Sequence, residues 1–263
     1  MDAARREGLP VSWSPKGVPE NVSPSLVIKV DDGDIDNYKY NSLECPTVWW
    51  FVDPNTDIDR GVHIGKNFDL TFSSQLCHIE DIEKKGVENV LWMPLACDPS
   101  HHSTIFNNLS DRPFDLGFSG SVSDCGGWNK GRIPLLTKIA GYFKNSVIRG
   151  SLKGQNSMIN GSCKVIIDDN PYNNLNMRHF EAISSGAILV TRKTKDNGFE
   201  HLGPNTTTLF YENENEAIDK IKHALINIKD FEEESKNMME FYQSQHSYSN
   251  RLNEIIKIVS GNL

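Results

Sequence analysis

The densest set of side chains able to handle a charged ligand lies between Asp168 and Val190, where Asn176, Arg178 and Glu181 follow a pair of aspartates. The local order is a strand end, a polar loop, a helix with an asparagine near its start, and Gly186 as a stop before a buried strand. At helical spacing Met177, Phe180 and Ile183 share an inner face, while Asn174, Arg178, Glu181 and Ser185 form a polar stripe. Arg178 and Glu181 therefore point the same way. Two readings follow. As an i,i+3 ion pair on a solvated face, the two side chains contribute only about 0.2–0.5 kcal/mol. Placed instead in a crevice at the carboxyl ends of parallel strands, the arginine holds a diphosphate and the glutamate accepts the paired hydroxyls of a ribose.

Three other groups have chemical potential. The turn Phe118-Ser119-Gly120-Ser121 follows a strand and leads through a glycine-rich loop to a helix at Arg132, so backbone N–H groups near Gly120 and Ser121 can approach phosphate oxygens. Asp31, Asp32, Asp34 and Asp53 fall at or just beyond strand ends, where a carboxylate can deprotonate a hydroxyl, and Asp53 is the candidate catalytic base among them. Cys97, Asp98, His101 and His102 have no recognised metal-ligand spacing and read as a linker loop. No metal and no cofactor are expected. His179 reads as a packed or exposed helix residue.

The elements that must position these groups alternate. In the first half, strand-like runs at 26–30, 47–52, 68–72 and 90–95 are each followed by a polar or acidic turn, and 75–86 is helical. Residues 1–24 read as an irregular arm. The polar stretch from Asp98 to Pro113 reads as a linker between lobes. The second half gives strands at 114–119, 146–149, 163–168, 187–191 and 207–211, with helices at 132–143, 175–185 and 214–228. A helical tail over 231–259 is interrupted at Gln245-His246-Ser247. Near-continuous apolar strands alternating with helices predict parallel sheets, hence an α/β protein of two Rossmann-like lobes. The expected division is 1–110 for the N-terminal lobe and 111–263 for the C-terminal lobe.

A chain of 263 residues with 38% hydrophobic and 24% charged residues has room for two modest cores. Its formal net charge of −8 and scattered basic residues disfavour a large nucleic-acid footprint. No apolar run is long enough to span a bilayer, and no apolar stretch follows the basic residues of the N-terminus as in a secretory signal. Five cysteines without a close pair suit reduced thiols, so a cytoplasmic location is expected and the Asn-x-Ser/Thr triplets at Asn21, Asn108, Asn160 and Asn205 are chance matches.

Asn176-x-Arg178-x-Phe180-Glu181-Ala182-x-x-x-Gly186-Ala187, followed by a strand and then Phe210-Tyr211-Glu212, resembles the C-terminal signature of spore-maturation-type glycosyltransferases of the GT-B superfamily. Trp49-Trp50-Phe51-Val52-Asp53, the stretch 114–121 with Arg132 after it, and His246-Ser247-Tyr248-Ser249-Asn250-Arg251-Leu252 are similar to the same family, in the same order. The resemblance implies a GT-B-like protein that moves a sugar from a nucleotide-diphosphate sugar to an unidentified hydroxyl acceptor. It implies donor binding in the C-terminal lobe by Gly120, Ser121, Arg132, Asn176, Arg178 and Glu181, without a metal, and acceptor binding in the N-terminal lobe. Two departures accompany it. The position of the first glutamate of the family's paired-glutamate motif holds Asn173, and the N-terminal lobe is reduced in size. The alternatives are a transferase acting on DNA bases, against which the acidic balance counts, and a non-catalytic nucleotide-sugar-binding or scaffold protein.

Overall fold

The computed structural model describes residues 1–12, 14, 17–33, 38–122, 131–150, 155–170, 174–194 and 197–261. The chain divides into two compact units: unit 1 is Met1–Leu95, Asp196–Gly198 and Tyr248–Leu263, and unit 2 is Ala96–Lys195 and Phe199–Ser247.

Unit 1 holds α1 (Asp2–Arg6), β1 (Val27–Val30), β2 (Thr47–Phe51), α2 (Ile58–Gly65), β3 (Leu70–Ser73), α3 (Ile79–Lys84) and β4 (Val90–Trp92). Its four strands are parallel in the order β1-β2-β3-β4. β2 is paired on both edges and buried at all five residues, as an unbroken run of threonine, valine and aromatics requires. Trp49 and Phe51 pack with Tyr40, Ile64, Phe68 and Ile82 to form the core. The arm expected at 1–24 opens with α1, and α2 is a helix absent from the periodicity reading. Asp57 caps α2, its carboxylate accepting from the Arg60 amide at 2.9 Å.

Unit 2 holds β5 (Phe114–Ser119), α4 (Arg132–Tyr142), β6 (Ser146–Arg149), α5 (Asn156–Ser162), β7 (Cys163–Asp168), α6 (Met177–Ser184), β8 (Ile188–Arg192), β9 (Thr208–Tyr211), α7 (Glu214–Ile226) and α8 (Glu232–Gln245). The sheet is parallel in the order β6-β5-β7-β8-β9. The chain leaves β5 in one direction to make β6 and then returns to the other side of β5 to make β7. The gap between the carboxyl ends of β5 and β7 is therefore a topological switch point, the place where parallel sheets receive ligands. Leu116, Phe118, Val165, Ile167, Ile188 and Val190 fill the core.

The last helix, α9 (Tyr248–Val259), belongs to unit 1. Arg251 Nε donates to the Pro94 carbonyl at 3.0 Å, the Tyr248 ring meets Trp50 edge-on, and α1 packs against α9. The division thus falls at Leu95, not after residue 110, and the chain's end crosses back. Residues 98–113, expected as a linker, are bonded into unit 2. Thr104 Oγ1 donates to the Gly161 carbonyl at 2.7 Å and Leu109 lies in the core. Arg112 donates to the carbonyls of Cys163 at 2.8 Å and Ser185 at 2.6 Å, and burial lowers its pKa to about 10. A buried guanidinium spanning three backbone segments makes this stretch part of the body.

Candidate functional site

α6 starts where it does because Asn176 is its N-cap. The Asn176 Oδ1 accepts the Arg178 amide at 2.9 Å, and its Nδ2 donates to Asp168 Oδ2 at 2.8 Å. Gly186, with φ of 66°, ends the segment in the left-handed region that favours glycine. α6 is buried on nearly every side, so its polar stripe is not solvated. Asn174, Glu181 and Ser185 are buried, whereas Met177, assigned to the inner face, is 41% exposed. Periodicity finds the faces of a helix but not which face meets water when neighbours cover both.

Arg178 is the centre of a clasp. Its Nε and Nη2 donate to the Ser119 carbonyl at 3.0 and 2.8 Å, its Nη1 bonds Asp168, and its guanidinium lies 4.6 Å from the Phe118 ring centroid. A Cβ on Gly120 would collide with the Arg178 guanidinium, so a larger residue just beyond β5 has to displace the clasp. Asp168 further accepts from Thr191 Oγ1 at 3.3 Å and from the Asn170 amide at 3.2 Å. No ion pair joins Arg178 to Glu181 among the described residues, and the expected exposed pair is replaced by an arginine that ties β5, β7 and α6 together.

A second pair of arginines lies beside it. Arg192 Nη2 donates to Asp169 Oδ1 at 3.0 Å and stacks over Tyr211, whose hydroxyl donates to the Asp168 carbonyl at 3.1 Å. Arg132 is buried; its Nη1 donates to the Ser121 carbonyl at 3.0 Å and its Nε is 3.8 Å from Asp169 Oδ2. That Nε is a buried donor with no hydrogen-bond partner among the described residues. Desolvation, followed by the neighbouring Arg178, depresses the Arg132 pKa; desolvation likewise raises that of Asp169 despite its arginine partners. Of these five side chains three are cationic and two anionic, so the cluster carries one positive charge in excess and an unsatisfied N–H donor.

Glu181 sits apart, one turn further along α6. Burial raises its carboxyl above the ordinary range, with Arg178 opposing. His102 Nε2 lies 3.4 Å from Glu181 Oε1, with the two side chains 12% and 9% exposed. No sequence signal pointed to His102, since its partner is on a distant helix. Its Nδ1 accepts the Asp98 amide at 2.9 Å, and burial lowers its pKa to about 4.

In unit 1, Arg60 makes a two-pronged contact with Asp31, at 2.8 and 3.1 Å, at the end of β1. Asp53, beyond β2, is exposed, yet its surroundings desolvate the carboxyl enough to raise its pKa, and the Asp31 charge adds to this. Asp34, Asn173 and Cys125 lie outside the described residues. Among the described residues no group of three His, Cys, Asp or Glu side chains is placed to hold a metal. His179 is packed: its Nε2 meets the Tyr242 hydroxyl at 2.8 Å, and burial lowers its pKa to about 3.

Residues 104–257 match the family described as glycosyl transferase-like, which is more than half of the chain. The chain belongs to that family. Solved structures agree on the fold. HepE of Anabaena, in complex with UDP and glucose, is 13% identical, with a TM-score of 0.61 over 82% of this chain and 72% of that one. TarM is 13% identical with a TM-score of 0.63, covering 89% of this chain and 54% of its own, so this chain spans about half the length of TarM. Sucrose-phosphate synthase from Thermosynechococcus elongatus is 11% identical with a TM-score of 0.59, over 90% and 73%. No curated protein matches the sequence. The architecture of this family member is that of the GT-B glycosyltransferases, with two parallel α/β sheets. No described helix is long and apolar enough to cross a membrane.

Proposed function

We propose that this protein transfers a sugar from a nucleoside-diphosphate sugar to a hydroxyl acceptor, as a glycosyltransferase of the spore-maturation-protein-like kind. The observation that carries the reading is the cationic cluster at the switch point of the unit 2 sheet, with the buried, unsatisfied Arg132 Nε beside the Gly120-Ser121 turn. An anion with several acceptor oxygens satisfies that donor and the excess charge together. We assign the leading phosphate contact to Arg132 in place of Arg178, because Arg178 already commits three of its five N–H donors, one from each nitrogen, to Ser119 and Asp168. Arg178 and Asn176 instead hold Asp168 and the end of β5 in place. Glu181, a carboxylate in a desolvated setting, accepts the ribose hydroxyls. Asp53 in unit 1, with a raised pKa, is assigned as the base that takes the acceptor's proton. HepE, whose complexes contain UDP and UDP-glucose, supports a uridine donor.

Donor binding rests on side chains and a helix N-terminus, without a metal. A titration series tests the reading, with UDP, GDP, their glucose conjugates and the free nucleosides, each repeated in EDTA. Arg132→Ala weakens the diphosphates by about 10-fold or more and leaves the nucleosides unchanged. Glu181→Ala weakens both by about 10- to 150-fold. Affinities that are unchanged in both variants overturn the site, and loss of binding in EDTA overturns the metal-free mode.

A further inference from the structure

We propose that His102 is a positioning residue for Glu181: its ring holds one carboxylate oxygen, leaving the other to the paired hydroxyls of a ribose, so that the site prefers ribonucleotides to deoxyribonucleotides. The inference rests on the nucleotide reading above and deepens it.

The segment bearing His102 is built as a rigid turn. The Asp98 carbonyl accepts the His102 amide at 2.7 Å, while Asp98 Oδ1 accepts the Ser100 amide at 3.0 Å and the Ser100 hydroxyl at 2.7 Å. The turn is also tied to the helices beneath it. The His102 carbonyl accepts from Ser184 Oγ on α6 and from Gln243 Nε2 on α8, each at 3.4 Å, and Gln243 Nε2 donates to the Ser184 carbonyl at 2.7 Å. The histidine is therefore carried by the same helix that carries Glu181.

The tautomer follows from the backbone. Because His102 Nδ1 accepts the Asp98 amide, the proton of the neutral ring sits on Nε2, the atom facing Glu181 Oε1 at 3.4 Å. That spacing is longer than a formed hydrogen bond and closes with a small rotation of either side chain. Among the described residues no hydrogen bond to the Glu181 carboxylate is formed, although its side chain is only 9% exposed. A desolvated carboxylate with one oriented N–H beside it and no other donor has capacity left for two hydroxyls. A deoxyribose supplies only one.

The experiment compares UDP with dUDP and GDP with dGDP, by calorimetry, in the parent protein, H102F, H102Q and E181A. In the parent the ribonucleotide binds more tightly by about 10- to 150-fold. H102F brings that ratio close to one by weakening the ribonucleotide alone, and H102Q, whose amide nitrogen replaces Nε2, restores most of it. Where H102F is misfolded by circular dichroism, H102N, too short to reach Glu181, carries the same expectation. Equal weakening of both nucleotides, or an unchanged ratio in H102F while E181A abolishes the preference, overturns the role of His102 and leaves the nucleotide site standing. A parent protein that binds neither nucleotide, or shows no ribose preference, overturns both.

Discussion

At the carboxyl end of the unit 1 sheet one arginine, Arg60, faces two carboxylates, Asp31 and Asp53, whereas at the switch point of unit 2 three arginines, Arg132, Arg178 and Arg192, face Asp168 and Asp169. Both sheets thus use a buried arginine to tie strand ends together, and they differ in what is left over. The unit 1 group has one negative charge in excess, and desolvation, with the Asp31 charge adding to it, raises the Asp53 carboxyl above its ordinary range. The unit 2 group has one positive charge in excess and a donor without a hydrogen-bond partner among the described residues, which suits an anion. Parallel sheets of similar construction are specialised by the sign of the charge their arginine clasps fail to neutralise.

Acid should separate the two regions most strongly. His102 and His179, both in unit 2, have pKa values lowered from 6.5 to about 4 and about 3. The unfolded chain takes up protons at these sites below pH 6.5 while the folded chain does not. Their stabilising share is therefore present above pH 6.5 and is lost as the pH falls toward 4, by several kcal/mol on the order of 1.4 kcal/mol per pKa unit. Urea unfolding between pH 7 and 4 checks this, and His102→Gln with His179→Gln should flatten the slope. A slope unchanged in those variants assigns the acid sensitivity elsewhere.

The clasps themselves come next. Arg178→Ala leaves the Ser119 carbonyl without the side chain that bonds it and buried Asp168 without its cationic partner, and should cost about 3–5 kcal/mol. Arg60→Ala removes a single two-pronged pair next to an exposed Asp53 and should cost less. Denaturant midpoints decide; equal losses would mean that the extra bonds of Arg178 add nothing. This stability effect was not legible in the motif. As a solvated i,i+3 pair Arg178 would be nearly neutral to remove, and only the fold shows its partners on β5 and β7.

The smallest effect on donor binding belongs to unit 1. Asp53→Asn should leave nucleotide affinity within about 2-fold of the parent, a difference under about 0.5 kcal/mol, while lowering transfer, read as nucleotide release in the presence of acceptor. Parental turnover in that variant would remove Asp53 from the mechanism and with it the functional side of the contrast.

Local sequence patterns determined most of the framework. β5 at 114–119 and β7 at 163–168 coincide with the strands expected there, and the break at 245–247 falls between α8 and α9. Asn176 and Gly186 bound α6 as their types require, because capping and positive φ are settled within a few residues. α2 escaped because it is short, with two glycines on its buried face, and α5 because it is short and rich in serine, asparagine and glycine, which blurs a 3.6-residue period. Tertiary structure alone decided what the polar side chains meet. Arg178 reaches a carbonyl on β5 and His102 reaches a carboxylate on α6, pairings between residues far apart in the chain, and α9 returns to the first unit after the second is complete. Periodicity reports the spacing of groups along one element, whereas partner choice and desolvation depend on which elements the packed sheet brings together.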